Sequence, residues 1–92
     1  MMKIVELDGR EMKIKLNTHC YIMKVMDFPS YYGQNLDALW DLLSTISVPT
    51  TIQIDHRDVI IENLGAYGEQ LIEVFREAAL ENDSLWLEIE HG

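Results

Sequence analysis

One cysteine, Cys20, is all that the 92 residues hold. No internal disulfide can form, and a lone thiol suits a reducing compartment better than a secreted one. Basic residues are scarce as well: 7 Lys and Arg stand against 16 Asp and Glu, a formal net charge of −9. Direct binding to nucleic acid or to an anionic membrane is therefore not expected, because phosphate contacts need clustered Lys and Arg. Apolar runs are short and interrupted, far below the ~20 residues a membrane-spanning helix requires. The opening stretch MMKIVELDGREMKI has no apolar run of signal-peptide length, so export is not expected and a cytoplasmic protein is. The three histidines, His19, His56 and His91, lie far apart with no zinc-type spacing, and neither a metal site nor a cofactor is expected. Repeats, linkers and phosphate-cradling glycine loops are likewise missing.

The chain has enough apolar residues to fold. Its hydrophobic share of 48% is ordinary for a globular protein, and 92 residues support one small domain over 1–92 that needs no disulfide or metal. Acidity on this scale serves solubility, or it fits a cationic partner.

Patterning gives the elements. Lys3 to Asp8 (KIVELD) reads as a strand that meets a turn signal at Asp8-Gly9. Glu11 to Leu16 alternates Met12, Ile14 and Leu16 against charges, which leaves a short hairpin open. Thr18 to Met26 reads as a short helix with Asn17 or Thr18 as its cap and Tyr21, Ile22, Val25 and Met26 on its apolar side. Cys20 within it is expected to be an inert buried thiol. Thr50 to Asp55 is a strand, and His56 to Leu64 gives one or two helical turns closed by Gly65. His56 and Arg57 are read as a solvated loop at the strand end. Ala66 to Asn82 is the longest helix, with Leu71, Ile72, Phe75, Ala78 and Ala79 toward a core and Glu69, Glu73, Glu77 and Glu81 along the opposite side. Leu85 to Glu90 alternates as a last strand. Strands separated by helices imply crossovers, hence an α/β domain with a small parallel sheet.

The stretch that stands out is Tyr31 to Ser44, YYGQNLDALWDLLS. Leu36, Leu39, Trp40 and Leu43 recur at i, i+3, i+4 and i+7, and Asn35 stands where an N-cap belongs. Asp37 and Asp41 are one turn apart on the side away from the leucines, where like charges oppose each other by a few tenths of a kcal/mol. The helix dipole accounts for Asp37, in the first turn. Asp41, mid-helix beside Trp40, gains nothing comparable. As an acid-base pair the two lack the burial that splits carboxyl pKa values, and no Ser/His or Cys/His grouping joins them. As a binding surface they combine with Tyr31, Tyr32 and Trp40 in the mixture of aromatics and carboxylates found at interface hot spots. The alternative is that Tyr32 and Trp40 belong to the core and the acids are merely solvated.

YYGxNLDALWD, with VFREAA at Val74 to Ala79 downstream, resembles the signature of the barstar family, intracellular inhibitors of the secreted bacterial ribonuclease barnase. The resemblance covers most of the chain from Phe28 onward. It implies a small parallel sheet with helices and, in place of the hairpin, a connection from the first strand into a helix. It further implies that the loop and helix, residues 31–46, enter the cationic active-site groove of a secreted or toxin-type ribonuclease, where a carboxylate replaces an RNA phosphate. Carried over, Asp41 fills the phosphate pocket and Asp37 assists it. Tyr31, Gly33, Asn35 and Leu36 line the loop edge, with Tyr32 beside them, and Trp40 packs between core and interface. Ser44 and Ile46 continue the contact, and Glu77 adds an acid at its edge. Ser44 stands where the family has a threonine, and Ile46 where a member has a tryptophan. Two cysteine positions of that member are Leu42 and Asp83 here. The expectation is an inhibitor, monomeric when free and not an enzyme. The alternative is an acidic interaction module with a basic partner that is not a nuclease.

Overall fold

Alternating apolar and polar residues build three strands that pair in parallel in the order β1 (Lys3–Asp8), β2 (Thr50–Asp55) and β3 (Leu85–Ile89). The structure is a computed structural model that describes residues 2–90. In register, Val5 faces Ile52 and Ile52 faces Leu87, so the apolar centre of each strand lies on one line. Parallel neighbours need crossovers. The first is made of α1 (Lys15–Met26) and α2 (Leu36–Ser44), the second of α3 (Arg57–Leu64) and α4 (Ala66–Glu81). Both crossovers step the same way across the sheet, so connections of one hand put the helices on one face. Burial agrees: Val5, Leu7, Ile52, Ile54 and Leu85 are buried, whereas the alternate residues Ile4, Glu6, Trp86 and Glu88 are exposed. The expected α/β architecture with a three-stranded parallel sheet is what forms, and its helices cover one side. Among the described residues no helix is long and apolar enough to cross a membrane.

Leu39 and Leu43 of α2 share the core with Leu71, Ile72, Phe75 and Ala78 of α4, as the spacing of those residues predicts. Residues 9–16 do not form a hairpin. A single 3-10 turn at Gly9–Glu11 leads into α1. Gly9 is required there, because a Cβ would lie 2.7 Å from the Asp55 carbonyl oxygen, so the turn packs against the end of β2 only without a side chain.

The start of α1 is corrected by three residues. The helix begins at Lys15, and its N-cap is Ile14, neither Asn17 nor Thr18. Asn17 works from inside the first turn: its Oδ1 accepts from the Ile14 amide at 2.8 Å, and its amide donates to the Glu11 carbonyl at 2.8 Å. A side chain reaching back can serve the free backbone groups as well as one that precedes the helix. Cys20 is exposed, not buried. The inward side of α1 is set by Thr18, His19, Ile22 and Met26, and Cys20 falls outside that stripe at 100° per residue. Arg57 starts α3 rather than lying in a loop, while His56, between β2 and the helix as its N-cap, takes a left-handed conformation (φ 56°) that turns the chain out of β2.

His19 is only 1% exposed and joins three elements. Its Nδ1 lies 2.6 Å from the hydroxyl of Tyr32, in the loop before α2, and its Nε2 lies 2.6 Å from the hydroxyl of Tyr67, in the first turn of α4. A neutral imidazole has one donor and one acceptor nitrogen, so the two tyrosines complete it. The Lys15 ammonium lies 4.6 Å from the Tyr67 ring centroid, over this junction. Among the described residues no buried side-chain nitrogen or oxygen lacks a partner. Burial holds His19 below its usual pKa of 6.5 and pushes both tyrosines up.

Below about pH 6.5 the unfolded chain takes up a proton that the folded chain refuses, so stability falls with decreasing pH until the folded pKa is passed. Urea unfolding between pH 7.5 and 5.5 is expected to show that slope, and His19→Leu to abolish it. Tyr32→Phe leaves a buried ring nitrogen without a partner and is expected to cost about 1–3 kcal/mol at neutral pH. A fully stable Tyr32→Phe would contradict the junction.

Candidate functional site

The loop from Asp27 to Asn35 is set by two left-handed residues, Asp27 (φ 57°) at the end of α1 and Gln34 (φ 56°) just before α2. The left-handed turn before α2 thus falls on Gln34 and not on the neighbouring glycine. Gly33 sits on the exposed edge, where a Cβ would meet the Ala38 Cβ at 3.3 Å. Between those bends the Tyr32 amide donates to the Pro29 carbonyl at 3.0 Å, and the Tyr32 and Phe28 rings pack with centroids 5.2 Å apart. Tyr32 is 5% exposed, whereas its neighbour Tyr31 is 80% exposed. The pair divides its work: Tyr32 holds the loop to the core through His19, and Tyr31 presents its ring to solvent. Tyr32 thus supports the loop from within and also lines the small pocket beside Asp41.

Asn35 caps α2 as its position predicts, accepting from the Ala38 amide at 2.8 Å. Its amide nitrogen returns to the Gly33 carbonyl at 3.3 Å, which ties the loop edge to the helix start. From there the spacing decides orientation. Leu39 and Leu43 are fully buried, Leu36 and Trp40 are half-buried against the core, and Asp37, Asp41 and Ser44 share the exposed face. Ser44 turns its hydroxyl back to the Trp40 carbonyl at 2.7 Å, leaving the two carboxylates as the charged groups of that face. Neither is paired. The ion pairs among the described residues are Arg10–Asp8 and Arg76–Glu73, at 2.9 and 2.8 Å.

The far end of α2 is held by a residue whose role sequence reasoning missed. Asn82, read only as the end of α4, donates its amide to the carbonyls of Leu43 and Ile46 at 3.0 Å each. Ile46 is half-buried just beyond that anchor, and Glu77 is exposed on α4, the helix on which α2 packs. Of the expected contact set, Tyr31, Gly33, Asn35, Asp37, Asp41 and Ser44 are exposed; Leu36, Trp40 and Ile46 are half-buried; Glu77 stands apart on the neighbouring helix. A pocket of about 160 Å³ lies between Tyr31, Gly33, Ala38 and Asp41. Among the described residues no three His, Cys, Asp or Glu side chains are grouped to hold a metal ion.

Because Asn35 serves both the helix and the loop edge, Asn35→Ala is expected to lower stability by about 1 kcal/mol. Amide exchange should quicken first at residues 33–38, and an unchanged exchange rate there would contradict this role for the cap.

The sequence that builds this capped, acidic helix is similar to known proteins. The family model described as Barstar (barnase inhibitor) matches residues 2–90. A Bacillus subtilis (strain 168) protein named "Putative ribonuclease inhibitor YrdF" is 38% identical over 79 residues, which span 85% of this chain and 86% of that protein. With every described residue inside the match, the chain belongs to the Barstar (barnase inhibitor) family.

Proposed function

We propose that this protein inhibits a barnase-type ribonuclease by laying the loop and acidic helix, residues 31–46, over its cationic active site. The carrying observation is that Asp37 and Asp41 are exposed and unpaired on one face of α2, in a chain of the Barstar family. A helix that orients two like charges outward, with no counter-ion of its own, gains when a partner supplies cations. Asp41 takes the place of a substrate phosphate, Asp37 supports it, and Tyr31 covers the edge. Glu77 extends the negative surface from α4. Inhibition is then steric and electrostatic: the groove is filled and its bases are neutralised. On the convex side of a helix the two carboxylates cannot close on a substrate from two sides, which fits an inhibitor rather than an enzyme.

The net charge of −9 adds long-range attraction to a basic enzyme and speeds encounter, an effect screened once salt exceeds about 0.1 M. The single cysteine and the acidic surface suit action in the cytoplasm, as a monomer, against a nuclease of secreted or toxin type that the same cell produces.

Titrating the protein into a barnase-type ribonuclease while following RNA cleavage tests this reading. Stoichiometric inhibition that weakens at high salt is expected. Asp41→Ala is expected to lose about 2–5 kcal/mol of binding, because it strands desolvated cations in the enzyme. Inhibition that ignores both salt and Asp41 would overturn the proposed mode.

A further inference from the structure

Beside the acidic face lies a larger hollow, of about 370 Å³, between the loop, the start of β1 and the segment that follows α2. Its floor is Val5 and Met26, both buried, and its walls include Phe28, Ile46 and Val48. That volume is at the low end of the ~300–1,000 Å³ typical of ligand clefts. The hollow adjoins the smaller pocket at Asp41, with Tyr31 and Leu42 standing between the two and lining both. A partner laid over residues 31–46 reaches its rim, to which Tyr31, Leu42, Thr45 and Ile46 contribute.

We infer that the hollow receives an apolar side chain, aliphatic or aromatic, carried by the same ribonuclease next to its cationic groove. The inference rests on the inhibitor reading given above and adds a second kind of contact to it. Among the described residues Lys3 is the charged one in the lining, so an Arg or Lys of the partner meets repulsion there and an apolar group does not. The walls expose apolar area that water covers poorly, Val48 at 55% and Tyr31 at 80% exposure. Exposed charge pairs alone contribute little once screened, and tight interfaces centre on a desolvated apolar anchor in a pocket. The acids of α2 then govern the rate of encounter and the register, and the hollow governs which ribonuclease is held. Its shape makes it a specificity determinant that acts separately from the charge.

Val48→Trp fills the hollow from an exposed position in the segment between α2 and β2, so it does not disturb the core. Inhibition of a barnase-type ribonuclease is expected to weaken at least about tenfold, by the same factor at low and high salt, because an apolar contact is not screened. The methyl resonances of Val5 and Met26, followed by NMR, are expected to shift when the ribonuclease is added to the unmodified protein. Inhibition by Val48→Trp within twofold of the unmodified protein, or unmoved Val5 and Met26 resonances in an inhibited complex, would overturn the hollow as a contact while leaving the acidic face in place. Failure of the unmodified protein to inhibit would instead overturn the nuclease reading, and this inference with it.

Discussion

Leu39 and Leu43, both fully buried, fix which side of α2 meets water. With that pair held in a core shared with Leu71, Ile72 and Phe75, a period of 3.6 leaves Asp37 and Asp41 no direction but outward. Two further restraints keep the helix from sliding or fraying: the Asn35 cap at its start and the two hydrogen bonds from Asn82 at its end. The acidic surface is thus rigid before any partner arrives. A preorganised carboxylate avoids the ordering cost that a flexible one meets on binding, and apolar packing makes that rigidity possible against the mutual repulsion of the acids.

The loop in front of the helix depends on a different kind of restraint. Tyr32 and Tyr67 close both hydrogen-bonding positions of a buried imidazole, connecting the loop, α1 and the first turn of α4. Such a junction is directional where apolar contact is not, and leaving one of its groups unpaired in the interior costs more than making the bond gains. It places Tyr32 inside and, by the alternation of neighbouring residues, sends Tyr31 out. Buried residues therefore set which side chains the loop exposes.

Much of this was legible in the chain. The leucine spacing of α2 and the four-residue repeat of Glu69, Glu73, Glu77 and Glu81 on α4 are strong periodic signals, and all four glutamates are exposed. β3 shows a strict alternation, and its wetter face proved to be the uncovered side of the sheet. What stayed hidden were contacts between residues far apart in sequence. Nothing local marks His19 as the partner of Tyr67, 48 positions on, or Asn82 as the anchor of Leu43. Asn17 caps α1 from within, so the helix starts ahead of the residue that looks like its cap, and Cys20, of a type usually buried, lies off the inward stripe. The Asp37 and Asp41 pair was readable because it breaks a local rule, like charges one turn apart, without a local gain.

Function follows from combining the two layers. In the proposed mode, charge brings a cationic enzyme to the face of α2, and shape, in the pockets on either side of Tyr31 and Leu42, determines whether it stays. The measurement that tests the central claim most directly is amide hydrogen exchange of the protein alone and with a barnase-type ribonuclease bound. The account predicts that protection rises at residues 31–46 and leaves the uncovered sheet face, with Ile4 and Trp86, unchanged. Protection confined to that sheet face would contradict it.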